Sequence, residues 1–506
     1  MRPGVLLTLA LCSSLSATDP TDATRRWWSH VQALANDGME GRDTGSEGYR
    51  RAAAYVATEF ERAGLQPAGE RGYYQSVPLH VIRLRADQST ATLQRHDEIR
   101  KLQWLHDITL TVQPGLPNQI SGGMIFAGSE LPAGLDWKGK LAVRLGAPVG
   151  TPAANRTPAP LPDGVVATLT IDSFDGPERR RWPAAYAVNM RLAEATPAAT
   201  GNARPALFLN PAAAEELFKG SGHTYTELKQ LADAGQPPPT FELSGQFRAD
   251  LRFEASDIAS DNILAVLPGS DPALATEYVA ISAHLDGYGF GEPIGGDGLY
   301  NGAFDDAAYV ATLIDLAQHL RESGTKLRRS LLFVVVTGEE KGLLGSRYYA
   351  AHTTVPKERI VANLNLDQLR PIFPLKVLTM LALDESTLGE TARQVAEPMG
   401  IRIQPDPEPD RNLLRRSDHY NFLQIGVPAT GFIFGYEKGS PEEAVYRRWY
   451  ADRYHSPSDD LKQPWVPEAA AQFNEFFGRL VVQLANADQR PQWKPASRFA
   501  PRPAGQ

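Results

Sequence analysis

Apolar residues recur at helical spacing in the first part of the chain. Two groups show this periodicity: Trp27, Val31, Leu34 and Ala35, then Ala53, Val56, Phe60 and Leu65. Because this period places apolar side chains on one face of a helix, it predicts two helices within residues 22–65. Gly64 marks the end of the second helix. A loop over residues 39–46 separates the two.

From residue 262 onward, short apolar runs alternate with longer stretches of helical periodicity. The predicted strands cover residues 263–267, 278–283, 331–336 and 361–366, and the predicted helices cover residues 307–320, 343–352 and 468–486. Strands that alternate with helices form a mostly parallel sheet. The three consecutive valines that end at residue 336 are typical of a strand covered on both faces. The predicted fold class is therefore α/β, with ligands bound at the carboxyl ends of the strands.

The region between these two parts has a different composition. From about residue 75 to 245 it is rich in proline, glycine and alanine, with short β-like runs. We expect a helix near residues 184–194 and a strand near residues 206–209. The change in composition favours an inserted small domain, which we assign to residues 111–250. The main domain then comprises residues 18–110 and 251–487.

Length and charge agree with this division. A chain of 506 residues is too long for one ordinary core. The formal net charge of −8 opposes non-specific binding to nucleic acid, so we expect no nucleic-acid partner. The segment after residue 487 contains four prolines, and residues 488–506 are predicted to be a disordered tail.

The first seventeen residues have the features of a signal peptide. Arg2 precedes a mostly apolar stretch, and small residues lead up to Ala17. The apolar run is too short to span a bilayer, so we expect no stable membrane insertion. The single cysteine, Cys12, lies in this segment, so the mature chain would form no disulfide. We therefore expect a secreted or periplasmic protein.

Two candidate metal-binding segments precede the helix predicted at residues 307–320. His284 and Asp286 come directly after a predicted strand, where an imidazole can bind zinc and an acid can orient it. Asp305 and Asp306 directly precede the helix. Acidic residues are good helix caps, but two adjacent carboxylates cannot both cap. One carboxylate has two oxygens and can bridge two cations.

Three further segments carry acids or a second imidazole. Glu339 and Glu340 follow the valine-rich strand, where one can bind metal and its neighbour can act as a general base. Asp367 ends a predicted strand, and His455 lies in a loop. Two histidines with several acids make a mixed nitrogen and oxygen set suited to zinc, which keeps one position open for water in catalytic sites. The residues alone do not choose between the two members of either acidic pair.

All five segments resemble the motifs of one family, in the same order. They are His-Leu-Asp at 284–286, Gly-Ala-Phe-Asp-Asp at 302–306, Glu-Glu at 339–340, Asn-Leu-Asp at 365–367 and Tyr-His-Ser-Pro at 454–457. The sequence resembles the co-catalytic zinc aminopeptidases, a family that includes glutamate carboxypeptidases, the transferrin receptor ectodomain and glutaminyl cyclases. Each motif is weak alone, whereas the ordered set is specific. The resemblance spans about residues 22–485, including Glu-Gly-Arg at 40–42.

The resemblance implies a fold and a metal content. The fold is the zinc-exopeptidase three-layer sandwich with a mostly parallel mixed sheet. The insert resembles, less distinctly, a β-rich protease-associated domain. The implied cofactors are two Zn²⁺ ions. His284 and Asp367 would bind one ion, Glu340 and His455 the other, and Asp305 would bridge both.

The resemblance also implies an activity, hydrolysis of the N-terminal bond of a peptide substrate. Glu339 would be the general base, and Asp286 would support catalysis by orienting His284. Two departures from the family pattern flank ligands without replacing them: Gln-Leu-Arg at 368–370 and Ala-Ala-Tyr at 307–309. These departures affect the prediction of the substrate pocket more than the prediction of the metal ligands.

Two alternatives stay open. A carboxypeptidase or dipeptidase on the same scaffold would need a basic pocket for the α-carboxylate, for which the candidates are Arg370, Arg411, Arg415 and Arg416. A metal-free binding ectodomain is the non-enzyme alternative, and the complete ligand set argues against it. The sequence does not determine the oligomeric state.

Overall fold

The computed structural model describes residues 20–128, 134–146, 160–172, 187–195, 204–367 and 370–501. The predicted signal peptide at residues 1–17 lies outside the described residues. Helices α1 to α10 cover, in chain order, Pro20–Ala35, Glu47–Arg62, Glu215–Phe218, Tyr225–Asp233, Ala308–Ser323, Leu344–Ala351, Leu388–Ala396, His419–Gln424, Pro441–Asp452 and Pro467–Asn486. Within the described ranges, no helix has the length and apolar character needed to cross a membrane.

Two sheets and a short hairpin contain the strands of the described residues. Strands β1 to β20 cover, in chain order, Gln66–Pro67, Tyr74–Leu84, Thr90–Arg95, Glu98–Leu102, Ile108–Leu110, Gln119–Phe126, Leu141–Leu145, Ala167–Ile171, Val188–Leu192, Ala206–Leu209, Phe241–Asp250, Phe253–Leu267, Tyr278–His284, Gly289–Ile294, Asp297–Tyr300, Ser330–Val336, Ile360–Leu366, Val377–Met380, Arg402–Gln404 and Ala429–Phe434. The helices and strands predicted before residue 66 and after residue 262 are confirmed, except that β12 begins at Phe253 rather than at the predicted residue 263.

The larger sheet carries the predicted site. Its strand order is β19-β18-β20-β17-β13-β16-β12-β2-β9, and β1 pairs with β12. The centre is parallel, because β13 pairs in parallel with both β16 and β17, and β17 with β20. His284 pairs with Val336 in this register, so β13 and β16 end at the same edge of the sheet. The predicted α/β class with a mixed sheet is confirmed.

Helices cover both faces of this sheet and make three layers. Alternate residues of β16 belong to different cores: Leu331, Phe333 and Val335 pack with α1, α2, α5 and α10, whereas Leu332, Val334 and Val336 pack against Tyr349 and Phe422. Every residue of β16 is buried. This two-sided burial is the reason for the unbroken apolar run in the sequence.

The second sheet has the strand order β4-β3-β11-β6-β7-β8-β10-β5 and its own apolar core. It begins with β3 at Thr90, before the boundary that we predict at residue 111. The helix predicted at residues 184–194 is wrong, because its described part forms β9, which pairs with β2 at the edge of the larger sheet. Met190 and Leu192 are buried two residues apart, the spacing of a strand.

The carboxyl-terminal segment packs on the main domain in its described part. Arg490 bonds Glu277 through two nitrogens at 2.9 and 2.7 Å, and Arg498 bonds Glu385 at 3.0 Å. Trp493 pairs with Ser386 in a β-bridge. We predicted disorder here from the prolines, but ion pairs to buried acids hold the segment up to Pro501.

Candidate metal centre

His284 ends β13 and is 1% exposed. Its Nδ1 lies 3.0 Å from the main-chain oxygen of Asp286. Because a carbonyl oxygen only accepts, Nδ1 carries the proton and Nε2 keeps its lone pair for a metal. Nε2 faces one oxygen of Asp305 at 3.2 Å and one oxygen of Asp367 at 3.8 Å. The loop after β13 therefore points the metal-binding nitrogen at two carboxylates.

Asp305 lies between the two histidines. Its Oδ1 is 3.2 Å from Nε2 of His284, and its Oδ2 is 3.3 Å from Nε2 of His455. Two groups of potential ligands occur among the described residues, with ligand atoms within 4.8 Å of one another: His284, Asp305 and Asp367, and Asp305, Glu340 and His455. Asp305 belongs to both groups. A shared carboxylate of this kind can hold two cations about 3.5–4 Å apart.

The second group is held by aromatic side chains. Nε2 of His455 lies 3.4 Å from Glu340 Oε2. The Tyr288 hydroxyl lies 3.0 Å from Nδ1 of the same imidazole. The ring also stacks on Tyr454, with a centroid distance of 3.6 Å. These contacts fix the ring with Nε2 toward the acids.

Asp286 connects the first group to the strand that bears the acidic pair. Its carboxylate accepts the backbone N–H of Glu339 at 3.0 Å and the hydroxyl of Thr44 at 2.9 Å. It contacts His284 as expected, but the close contact comes from its main-chain oxygen. Its carboxylate is 3.9 Å from Nδ1 of His284. Asp286 is thus a positioning residue for both His284 and Glu339.

Several buried oxygens of the site lack a hydrogen-bond partner within the part of the chain that the structure describes. They include Oδ2 of Asp305, Oε1 of Glu340 and Oδ1 of Asp367. Buried charged groups are normally paired or bound to metal, because leaving water is costly. Two imidazole nitrogens with these oxygens form the mixed donor set of zinc sites. The residues present therefore fit zinc.

The electrostatics of the site point the same way. Burial lowers the pKa of His284, but Glu339 and Asp305 outweigh it and raise that pKa well above its ordinary value. Burial raises the pKa of Glu340 to about 7, and burial raises that of Asp306 well above its usual range. Repulsion between acids adds to these shifts, because Asp305 raises the pKa of Glu340 and Asp367 raises that of Asp306. A divalent cation would relieve this repulsion and release protons.

Two positioning residues carry no role in the sequence-based hypothesis. Arg42 is fully buried and donates to main-chain oxygens on both loops that hold His284 and Asp305. Asp459 accepts the backbone N–H groups of Phe304 and Asp305 at 2.9 and 3.0 Å. Both lie inside motifs that carry the resemblance or directly after one. Nothing local in the sequence distinguishes a buried arginine or aspartate from an exposed one.

Comparisons with known proteins identify sequences and structures that are similar to this chain. Residues 262–481 match the model of peptidase family M28. Leupeptin-inactivating enzyme 1 from Streptomyces exfoliatus is 27% identical over 217 residues, which are 41% of this chain and 45% of that protein. Aminopeptidase YwaD from Bacillus subtilis (strain 168) is 25% identical over 257 residues, 49% of this chain and 50% of that protein. The chain thus spans about half the length of these relatives.

Solved structures share the fold over nearly the whole chain. An aminopeptidase from Aneurinibacillus sp. strain AM-1 has a TM-score of 0.59 at 18% identity and covers 94% of this chain and 96% of its own. BSAP, a zinc aminopeptidase from Bacillus subtilis, has a TM-score of 0.57 at 18% identity, with 92% and 95% covered. The family match contains every residue that we predict to bind metal or to act in catalysis. Residues 262–481 therefore match peptidase family M28, which confirms the resemblance to the co-catalytic zinc aminopeptidases.

Proposed function

We propose that this chain is a metallo-aminopeptidase that hydrolyses N-terminal peptide bonds with two zinc ions. The observation that carries the proposal is the shared Asp305, whose two oxygens face two separate ligand groups. A single-metal site would need only one of those groups. The relatives include proteins named as aminopeptidases, which supports the same reading.

The residues around the two groups have distinct tasks in this reaction. Bound zinc would supply a Lewis acid for the scissile carbonyl and lower the pKa of a water molecule. Glu339 directly precedes Glu340 in the chain and belongs to neither group. Its main chain is fixed by Asp286, so its carboxylate can take a proton from the attacking water and pass it to the leaving amine nitrogen. The surplus of carboxylates favours a substrate with a free, positively charged α-amine.

A carboxypeptidase or dipeptidase is the second candidate, because part of the required basic pocket exists. Arg411 and Arg416 line a pocket next to Asp367. Arg370 is fully buried behind it, and Arg415 lies against the ring of Tyr420 at 5.5 Å. Two of the four candidate arginines thus reach the cleft.

One set of measurements tests the proposal. Bound metal would be quantified on the purified chain, and hydrolysis measured on free-amine peptides and on their N-acetylated forms. We expect two zinc ions per chain and cleavage of the free-amine peptides only. Glu339→Gln should keep the metal and lose about 10²–10⁴-fold in kcat, because only the proton transfer is removed.

The matched control is Glu475→Gln, an exposed glutamate paired with Arg479 on α10. It should behave as the wild type. Cleavage of N-acetylated peptides from the carboxyl end would favour the second candidate. A chain with no bound zinc and no hydrolysis would contradict both and leave the metal-free binding ectodomain.

We further propose that the mature enzyme acts outside the cytoplasm. The support is the basic, apolar and small-residue pattern of residues 1–17. Expression of the full chain in a bacterial host, followed by fractionation and amino-terminal sequencing, tests this. A mature amino terminus near residue 18 in the periplasm or medium is expected. Retention of residues 1–17 in the cytoplasm would contradict it.

A further inference from the structure

A pocket lies beside Asp367, with about 420 Å³ of empty space that includes the open solvent at its mouth. Its walls include the apolar side chains of Leu381, Phe432 and Ile433. A separate, smaller pocket of about 220 Å³ lies beside Glu340 and His455. The larger pocket is therefore the space next to the metal groups that can hold a side chain of the substrate.

Two arginines line this pocket, together with its apolar residues, Asp367 and Ser417. Arg411 is 9% exposed and is held by Glu408 at 3.0 Å and by the Tyr446 hydroxyl at 3.3 Å. Arg416 is exposed and lies at the same pocket. Arg411 and Arg416 therefore give one end of the pocket charged groups, with which an apolar side chain forms no hydrogen bond or ion pair.

A third arginine lies behind the wall. Arg370 is fully buried, with its guanidinium carbon 4.3 Å from the ring centre of Tyr450. Arg411 lies 4.4 Å from the ring centre of the same tyrosine. Tyr450 lines the pocket and is thus in contact with two positive charges.

The behaviour of Tyr450 shows the sign of the potential there. Burial raises the pKa of a phenol, and it is the largest cause of the raised pKa of the neighbouring Tyr446. At Tyr450 the charges of Arg370 and Arg411 outweigh burial, and its pKa is lowered. The side of the pocket formed by Tyr450 therefore faces the positive charges of Arg370 and Arg411, whereas Asp367 makes its metal side acidic.

We infer that this pocket selects a carboxylate-bearing side chain, so that the preferred substrates begin with glutamate or aspartate. The inference rests on the proposed aminopeptidase function. A carboxylate at the end of a short aliphatic stem matches the pocket, because the stem packs on the apolar wall while the carboxylate meets the guanidinium of Arg416. Arginine binds carboxylates through parallel, charge-assisted hydrogen bonds.

The test compares isosteric substrates on the zinc-loaded enzyme. The 4-nitroanilides of glutamate, glutamine and leucine would be assayed with the wild type, Arg416→Met and Arg416→Lys. We expect the wild type to prefer glutamate over glutamine by about tenfold or more in kcat/KM, because only glutamate forms the charged pair. Arg416→Met should remove this preference by lowering kcat/KM for the glutamate substrate about tenfold, whereas Arg416→Lys should keep part of it.

Arg415→Met is the matched control, because this neighbouring exposed arginine lies on Tyr420 and is not part of the pocket lining. It should leave the preference unchanged. An equal loss in both methionine variants, or no preference in the wild type, would overturn the inference. A loss restricted to dipeptides with a free α-carboxylate, compared with their amides, would also overturn it, since Arg416 would then read the chain terminus.

Calorimetric binding of free glutamate and glutamine separates this inference from the proposed function. Glutamate should bind the zinc-loaded wild type about tenfold more tightly than glutamine, and Arg416→Met should abolish the difference. If all three substrates are hydrolysed and neither assay shows selectivity for glutamate, the inferred selectivity of the pocket is refuted and the aminopeptidase function is not. Selective glutamate binding without any hydrolysis supports the pocket and refutes the aminopeptidase.

Discussion

Replacing Arg42 should loosen the metal centre without touching any ligand. Its guanidinium donates four bonds of 2.7–2.8 Å to main-chain oxygens, those of Leu34, Leu285, Asn301 and Gly302. Leu285 follows His284 directly, and Gly302 lies shortly before Asp305. One side chain therefore fixes the loops of both metal groups to each other and to α1.

The size of the effect follows from these bonds. Hydrogen bonds to a charged group contribute about 1.5 kcal/mol each at the lower end, so four give about 6 kcal/mol. Partial relaxation and water entry should reduce the loss measured for Arg42→Met to about 4 kcal/mol. Arg42→Lys keeps the charge but has one nitrogen, which cannot reach carbonyls around a planar fork, so we expect about half of that loss.

Urea denaturation in the presence of a chelator measures the loss without a contribution from metal. Zinc affinity, measured by competition with a chromophoric chelator, should fall about 10–100-fold in both variants, as for other residues that orient metal ligands. Arg51→Met is the control, because Arg51 bonds Gly38 and Glu40 of the same loop from the surface and is 39% exposed. We expect a change below about 1 kcal/mol there. If Arg42→Lys bound zinc as tightly as the wild type, the positive charge of Arg42 alone would explain its effect on zinc affinity, and the four hydrogen bonds would not be needed.

Three further predictions concern the metal, the loop before α5 and the carboxyl-terminal segment. Removing zinc with a chelator should lower the midpoint temperature of thermal unfolding. Free zinc at about 100 times its Kd should restore about 2.7 kcal/mol of unfolding free energy per site. An unchanged midpoint after chelation would contradict this prediction. Asp459→Ala should lower the affinity for zinc about tenfold or more in the chelator competition, because the backbone N–H of Asp305 loses the carboxylate that fixes it. An unchanged affinity would show that Asp459 is dispensable for zinc binding. Glu277→Gln should cost about 2–4 kcal/mol in urea denaturation at pH 7, because Arg329 and Arg490 lose their shared carboxylate. Burial raises the pKa of Glu277, but these arginines hold that pKa below its ordinary value of 4.5. The difference in unfolding free energy between Glu277→Gln and the wild type should therefore shrink as the pH falls below 4.5. An equal difference at pH 4 and pH 7 would refute this explanation.

The elements of the main domain follow from the sequence because their signals are local. The run that became β16 is apolar at every position, since both faces of that strand are covered. The helix that became α5 ends at Gly324, which adopts a left-handed φ of 62° that favours glycine. Patterns of this kind need no knowledge of distant residues.

The errors occur where distant partners decide. The described part of residues 184–194 has helix-forming composition, but β2 offers a free edge and the segment pairs with it as β9. The prolines after residue 488 suggest disorder, yet Glu277 and Glu385 hold arginines of that segment. In both places a long-range contact outweighs local propensity, which is worth only fractions of a kcal/mol per residue.

The sequence by itself predicted the candidate ligands, because His284, Glu340 and Asp367 follow predicted strands, Asp305 precedes a predicted helix, and these motifs and that of His455 occur in a fixed order. The residues alone left the shared carboxylate open; the resemblance implied Asp305, and the tertiary structure gives the physical reason. Asp305 and Asp306 are equivalent in the sequence, but the oxygens of Asp305 alone face both imidazoles. The same is true of Arg42 and of the arginines around Tyr450. Their roles depend on burial and on neighbours from other parts of the chain, and local sequence carries no signal for either.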